Sequence, residues 1–384
     1  MPSINDIVQV AGALEKSPVA VVQDRCVAVR NRNATCRKCV DACQVDAIDI
    51  SANEIHLDAG LCMACGACTT VCPNEALVPL KPTDSSLSQA AAEATSALQG
   101  RALLACARIA SKKLADPRLY AEVPCLARLD ESLILSLVAH GAHEVAFVDG
   151  GCSSCKYRAC VAAIEATVQY SNELLAAHGS EVRVQRASSF PEEVLIESAE
   201  GLFGSTRRSF FTDAADMAKE TAMVAARTTI VQELGYKLPE TPIGERLRVT
   251  EDGTMPRLPM PRHDVTINSM DAIGWPVAES IDTRRFGCVT INSAKCNACG
   301  MCAVFCSTGA LRRNEPTNAS DPLKYLEFSA SECVQCGLCR DVCWKGALLL
   351  SAEVPTAQIF DFEPVTFDMS GVNRPKGKAF GRSR

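Results

Sequence analysis

Apolar and polar positions alternate along this chain in two different ways. Near both ends the apolar runs are short and of period two. Residues 19–26 predict a strand, AIDISANEIHLD at 47–58 predicts a hairpin turning at Ala52 and Asn53, and Cys288-Val-Thr-Ile predicts a strand opening a second such region. In the middle, apolar runs at 102–105, 121–123, 144–148 and 182–184 alternate with helical stretches at 129–140 and 160–177. That alternation predicts a small open parallel sheet. Residues 1–20 (Ile4, Ile7, Val8, Val10) predict a short amphipathic helix ending near Pro18. The Ser, Ala and Thr-rich stretch 81–99 reads as a linker running into a helix. Residues 203–236 predict one or two packed helices, whereas the proline-dotted stretch 239–276 reads as irregular and surface-running.

Cysteines punctuate the end regions. CMACGACTTVCP at Cys62–Pro73 has the spacing C-x2-C-x2-C-x3-C-P, a run that wraps thiolates around a 4Fe-4S cube. Two more copies are CNACGMCAVFC from Cys296, with Cys299, Cys302 and Cys306, and CVQCGLCRDVC from Cys333, with Cys336, Cys339 and Cys343. A fourth, irregular copy has Cys36, Cys39 and Cys43, with Asn33 where the first cysteine should stand. Cys26, across the polar turn RNRNAT, is the expected substitute, because loop closure costs grow slowly with length. A non-cysteine ligand or a three-iron cluster are the alternatives. Each copy is followed by a small-then-aliphatic pair: Ala47-Ile48, Ala76-Leu77, Ala310-Leu311 and Ala347-Leu348. The glycines after the second cysteine (Gly66, Gly300, Gly337) let the backbone pass close to an inorganic core. Zinc prefers paired knuckles with four ligands to one ion, which a triple C-x2-C-x2-C followed by x3-C does not provide.

Composition narrows the class. The chain has 384 residues, 22 cysteines and 47% hydrophobic content. It is too long for a disulfide scaffold and no basic-then-apolar leader opens it, so the thiols are expected to be reduced ligands in the cytoplasm. No run approaches a membrane span, and a formal charge of -6 gives no reason to expect nucleic acid. Ser205-Thr-Arg-Arg-Ser-Phe-Phe211 matches a twin-arginine signal superficially, but DAADMAKE follows it, so a basic helix start is expected. His56, His140, His143, His178 and His263 make no metal-spaced set.

On these motifs residues 20–80 resemble the bacterial two-cluster ferredoxins, and the plan returns from Phe286. The resemblance implies crossed ligation, the last cysteine of each motif serving the other cube. Cys26, Cys36, Cys39 and Cys72 would hold one cluster; Cys62, Cys65, Cys68 and Cys43 a second. Cys296, Cys299, Cys302 and Cys343 would hold a third, and Cys333, Cys336, Cys339 and Cys306 a fourth. Cys288 precedes its motif as Cys26 does, but that motif already has four cysteines.

The first three middle strands end in Cys106, Cys125, and Cys152 with Cys155. Ligands gather at the carboxyl ends of open parallel sheets, so four soft ligands there argue for another metal centre. PCLARLDESLIL, GAHEV and GGCSSCKY resemble the delta subunit of methyl-viologen-reducing hydrogenases, over residues 101–170. That resemblance implies a 2Fe-2S cluster on Cys106, Cys125, Cys152 and Cys155, and electron transfer between a hydrogenase and a flavoprotein. The family usually has a second cysteine close to the first and a longer gap in the last pair, so Cys160 stands as an alternative ligand. Buried core cysteines, or a dithiol at Cys152-Ser-Ser-Cys155, are the competing readings.

The expected fold is therefore α+β and α/β multidomain, two ferredoxin-like domains flanking a small parallel-sheet α/β domain. Its parts are 1–82 (dicluster domain), 83–100 (linker), 101–190 (α/β domain), 191–285 (helical and extended connector), 286–352 (dicluster domain) and 353–384 (extended basic tail). With no dinucleotide fingerprint or nucleophile-base constellation, the expected role is a non-catalytic electron-transfer subunit. It would carry four 4Fe-4S clusters and one 2Fe-2S cluster, and serve other oxidoreductase subunits: a hydrogenase, a heterodisulfide-reductase-like flavoprotein or a molybdenum enzyme. It would be cytoplasmic or peripheral to a membrane complex without inserting. The alternative is a cluster-fed thiol/disulfide reductase acting through Cys152 and Cys155.

Overall fold

The computed structural model describes residues 17–196, 250, 253–313 and 325–369. The expected helices at 1–20 and 203–236, the basic helix start at 205–211 and the tail beyond 369 fall wholly or mostly outside these. Among the described residues no helix is long and apolar enough to cross a membrane.

Both end regions close first strand on last. Val19–Val21 pairs antiparallel with Leu77–Pro79, and Cys288–Ile291 with Leu348–Ser351. Between the N-terminal cysteine loops, Ile48–Ser51 pairs with Glu54–Leu57. Ala52 and Asn53 turn this hairpin at φ 51° and 61°, the double left-handed turn that matches strand twist. The expected strand at 19–26 stops at Val21; a 3-10 turn, Gln23–Arg25, then carries Cys26 inward to head the helical turn Val27–Arg30.

The C-terminal region is larger than expected. Leu311–Arg313 pairs with Tyr325–Phe328, which also pairs with Val365–Asp368, and Ser280–Asp282 pairs with Glu353–Pro355. Residues 353–368, read with the tail, thus belong to the module. Buried Val354, Ile359 and Phe360 hold them there.

In the middle, β1 (Arg101–Cys106), β2 (Ala121–Val123), β3 (Glu144–Val148) and β4 (Val184–Ala187) form a parallel sheet ordered β2-β1-β3-β4. Its core is wholly apolar at Leu104, Val123, Phe147 and Val148, each worth roughly 1.5–3 kcal/mol. Among the described residues the longer helices beside it are α1 (Asp84–Ala97), α2 (Glu131–Ala139) and α3 (Val161–Ala177), with α4 (Pro261–Ile273) packed on α2. Helix α1 occupies the stretch read as a linker. Thr83 caps it, its hydroxyl accepting from the Ser86 N–H at 3.1 Å, and Leu87, Ala91 and Ala94 turn one narrow face inward. Helix α4 lies in the stretch read as irregular, and packs on α2 through a largely polar face: Arg262, His263, Thr266, Ser269 and Met270.

That polar face enters a buried ionic hub joining all three modules. The Arg262 side chain donates to Asp84 at 2.9 Å and to the Thr69 carbonyl at 2.6 Å, and its backbone N–H donates to Glu75 at 3.1 Å. Arg285 and Arg284 pair with Glu131 at 2.8 and 2.6 Å, and Arg128 pairs with Asp84. Burial would raise the Asp130 carboxyl's pKa, but Arg262 and Arg285 pull it well below the usual carboxylate range.

Candidate metal centres

The chain turns left-handed at the third residue after each motif's last cysteine: Asp46 (φ 50°), Glu75 (50°), Gly309 (83°) and Gly346 (56°). This returns the next amide to the sulfur. The N–H of Ala47 donates to Cys43 Sγ at 3.3 Å, Ala76 to Cys72 at 3.2 Å and Ala347 to Cys343 at 3.3 Å. In the remaining copy Leu311 donates to Cys306 at 3.4 Å, while Thr308 takes the Ala310 amide. The shared small residue thus sits where a main chain must approach a sulfur closely. Within the regular loops the pairs Ala64 and Gly66, Ala298 and Gly300, and Gln335 and Gly337 are also left-handed. The irregular copy lacks that glycine, and a helical turn, Lys38–Asp41, starts at its place.

The fold gathers the motif cysteines into four sets. Cys39 feels the charges of Cys72, Cys26 and Cys36, and its thiol is pushed up to about 12, chiefly by burial. Cys26 is likewise raised to about 11 by burial, with Cys72 and Cys36 adding to the rise. Cys68 faces Cys65, Cys62 and Cys43. Cys302, raised to about 12 chiefly by burial, faces Cys299, Cys296 and Cys343. Cys339 faces Cys336, Cys333 and Cys306. Cys288 lies apart, its thiol pointing to Gln358 at 3.5 Å.

The donor chemistry of these sets, four thiols each and no histidine or carboxylate, fits iron–sulfur cubes. The residues Cys306, Cys333, Cys336 and Cys339 line one cavity with Val289, Phe328 and Leu350. Four thiols in an apolar wall ionise together only beside added positive charge, which iron supplies.

Neighbouring sets also lie within reach of each other's charge. Cys302 acts on Cys339, Cys36 on Cys336, and Cys39 on Cys68. Beyond Cys68 the path meets the middle domain, where the buried Cys160 thiol is shared between Cys65 and Cys125. The Tyr157 hydroxyl clasps the same cysteine loop, donating to the Met63 carbonyl at 2.7 Å. At the other extreme, Cys299 is exposed, as is Trp344 beside Cys343.

At the sheet edge, Cys152 feels the charges of Cys106 and Cys125, and Arg186 approaches its sulfur at 3.7 Å. Cys155 is placed differently. Its sulfur accepts from the Tyr157 N–H at 3.5 Å, and it lines an open cleft of about 660 Å³ with Lys81, Arg108, Glu122, Lys156 and Tyr157. Sequence reasoning assigned no role to Arg30 or Tyr157, although both stand inside quoted stretches, RNRNAT and GGCSSCKY; His263 is buried, its Nε2 bonded to the Ser331 carbonyl at 2.6 Å.

The 4Fe-4S dicluster domain family matches residues 34–76 and 295–347. A curated relative, "Ferredoxin 7Fe" from Hydrogenibacillus schlegelii, is 32% identical over 57 residues, which are 15% of this chain and 67% of that protein.

Proposed function

We propose that this chain, which belongs to the ferredoxin-type 4Fe-4S dicluster proteins, is a multi-cluster relay subunit of an oxidoreductase complex. It would hold four 4Fe-4S clusters on the crossed cysteine sets and a further centre, of 2Fe-2S type, in the middle domain. When bound, such clusters supply one-electron redox steps; the protein's part is to place them, exclude water and set their potentials. The observation that carries this reading is that the five thiol groups lie near enough for their charges to act on one another in one series, from exposed Cys299 to the sheet edge at Cys152. The two open ends suit a donor on one side and a catalytic partner on the other, whether hydrogenase, heterodisulfide-reductase-like flavoprotein or molybdenum enzyme.

The relative's name specifies seven irons. A three-iron site would fit a motif short of one ligand; Cys26, which lies near Cys72 and Cys36, would supply that ligand here. Fully reduced protein tests the series: neighbouring reduced centres couple magnetically, so EPR should show broadened, interacting signals. A spectrum that is the simple sum of isolated centres overturns it.

A second reading, a thiol/disulfide reductase acting through Cys152 and Cys155, is favoured by the cationic cleft beside Cys155. Cys155→Ser separates the two. Full iron content with disulfide turnover abolished supports the reductase, whereas loss of one centre's signal makes Cys155 a ligand of the relay.

A further inference from the structure

The two dicluster modules meet on a small, well-packed face. Val27, Leu338 and Val342 are buried there together, flanked by Ala34, Cys36, Phe305 and Cys336. The Thr35 N–H and hydroxyl both donate to one Asp341 oxygen at 2.8 Å. Lys38 reaches the Gln335 carbonyl at 3.5 Å, and Ser307 reaches Asn74 at 3.4 Å. This face brings Cys36 of one set against Cys336 of another.

Arg30 is buried at this junction, 6% exposed, at the end of the helical turn that Cys26 heads. Two of its N–H groups donate to the main-chain carbonyls of Asp24 at 3.1 Å and Pro256 at 2.6 Å, and its Nε has no partner. Carbonyls fix the guanidinium in place without neutralising it, and the Asp24 carboxylate offsets its charge in part. Pro256 is itself held against the Cys306 loop, because the N–H groups of Met255 and Leu258 donate to the Val304 and Ser307 carbonyls at 2.8 and 2.9 Å. The guanidinium that bonds the Pro256 carbonyl therefore sits beside the set across the junction, and its charge acts on Cys336 and Cys306 of that set. A permanent positive charge of this kind, shielded from water, stabilises whichever state of its neighbour is more negative.

Resting on the relay reading, we propose that Arg30 is the positioning residue that raises the potential of the Cys306, Cys333, Cys336 and Cys339 centre. That centre thereby becomes the point where electrons collect between the two modules. With clusters bound, Cys26, Cys36, Cys39 and Cys72 would hold the donor of one electron and the set across the junction its acceptor, with no proton or further reagent needed. Arg30 is contributed by the N-terminal module but acts on a centre of the C-terminal one, so each module's potential is complete only in the assembled chain.

The test is redox potentiometry followed by EPR on the full anaerobic chain, with the junction centre's signal identified through Cys339→Ser. Arg30→Met should lower the ratio of reduced to oxidised forms of that centre at least tenfold at fixed solution potential, a fall of about 59 mV or more for one electron. Arg30→Lys, which keeps the charge, should retain most of the wild-type value, and Arg32→Met, at an exposed neighbour, should change nothing. Fully loaded Arg30→Met with an unmoved junction potential overturns the inference and leaves the relay reading standing. Wild-type chain that binds no clusters overturns the relay reading itself. Should Arg30→Met fail to load iron, the wild-type protein still decides: the junction centre should titrate at a higher potential than the Cys296, Cys299, Cys302 and Cys343 centre. An equal or lower value overturns the inference.

Discussion

Replacing Arg262 by Met should loosen all three modules at once. The side chain is wholly enclosed by opposite charge. It bonds Asp84 at 2.9 Å and lies 3.3 Å from Asp130, and its remaining donor serves the Thr69 carbonyl. Methionine fills much of the volume but leaves Asp130 buried with Arg285, at 3.4 Å, as its remaining ion-pair partner, helped by the more distant Arg128 charge and by donors from Ser132 and the Leu133 N–H. Removing one partner of a buried ion pair costs about 3–5 kcal/mol, mostly through the charge left behind. Because Arg128 still pairs Asp84, the lower half of that range is expected. The assay is the urea midpoint of anaerobic protein with matched iron content, read at unchanged slope. Adding Asp130→Asn removes the stranded charge, so the double variant should recover at least about 1 kcal/mol over the sum of the singles. A single variant costing less than about 1 kcal/mol, or strictly additive changes, would refute the hub as the joint between modules.

Other substitutions probe the centres and their setting. Cys26→Ala should remove one iron, or one whole centre, from the N-terminal module while leaving the other three sets loaded; unchanged iron content would dismiss Cys26 as a ligand. Gly66→Ala places a Cβ 2.7 Å from Arg128 Cδ on a backbone with φ +79°, so thermal denaturation should show a loss of about 2–4 kcal/mol. Gly346 is left-handed too but meets nothing within 4 Å, so Gly346→Ala should cost only about 1 kcal/mol. Asp130 supplies an acid signature. Its folded pKa is depressed below the unfolded value, so its contribution is present above about pH 4 and is lost as pH falls further. Urea midpoints of wild type should therefore fall more steeply than those of Asp130→Asn between about pH 5 and pH 3, and parallel profiles would remove Asp130 from the account.

What was legible in the chain was whatever local chemistry dictates. Ligand spacing announced the cysteine loops, Ala52-Asn53 the hairpin turn, and the runs ending at Cys106, Val123 and Val148 the parallel sheet. The repeated small residue was visible as a pattern, but its reason, an amide donating to the preceding sulfur, needed the left-handed turn at Asp46, Glu75 and Gly346. Helix α4 escaped because hydrophobic periodicity cannot register a helix that buries Arg262, His263 and Thr266; charge pairing supplied by distant Asp84 and Asp130 makes that face compatible with the interior. Helix α1 showed in the sequence only as a linker running into a helix, because its inward face is just Leu87, two alanines and Thr95. The order of the thiol sets was invisible for a different reason. It depends on contacts such as Thr35 with Asp341, about three hundred residues apart, which no local pattern encodes.

The measurement that bears most directly on the relay is iron and acid-labile sulfide per chain on anaerobically purified protein. Four cubes give about sixteen irons with matching sulfide, and a 2Fe-2S centre in the middle domain brings the count to about eighteen. That result, with zinc absent, is the expected one. About eight irons or fewer in fully folded protein, or zinc in place of iron, would contradict the central claim that all four cysteine sets hold cubes.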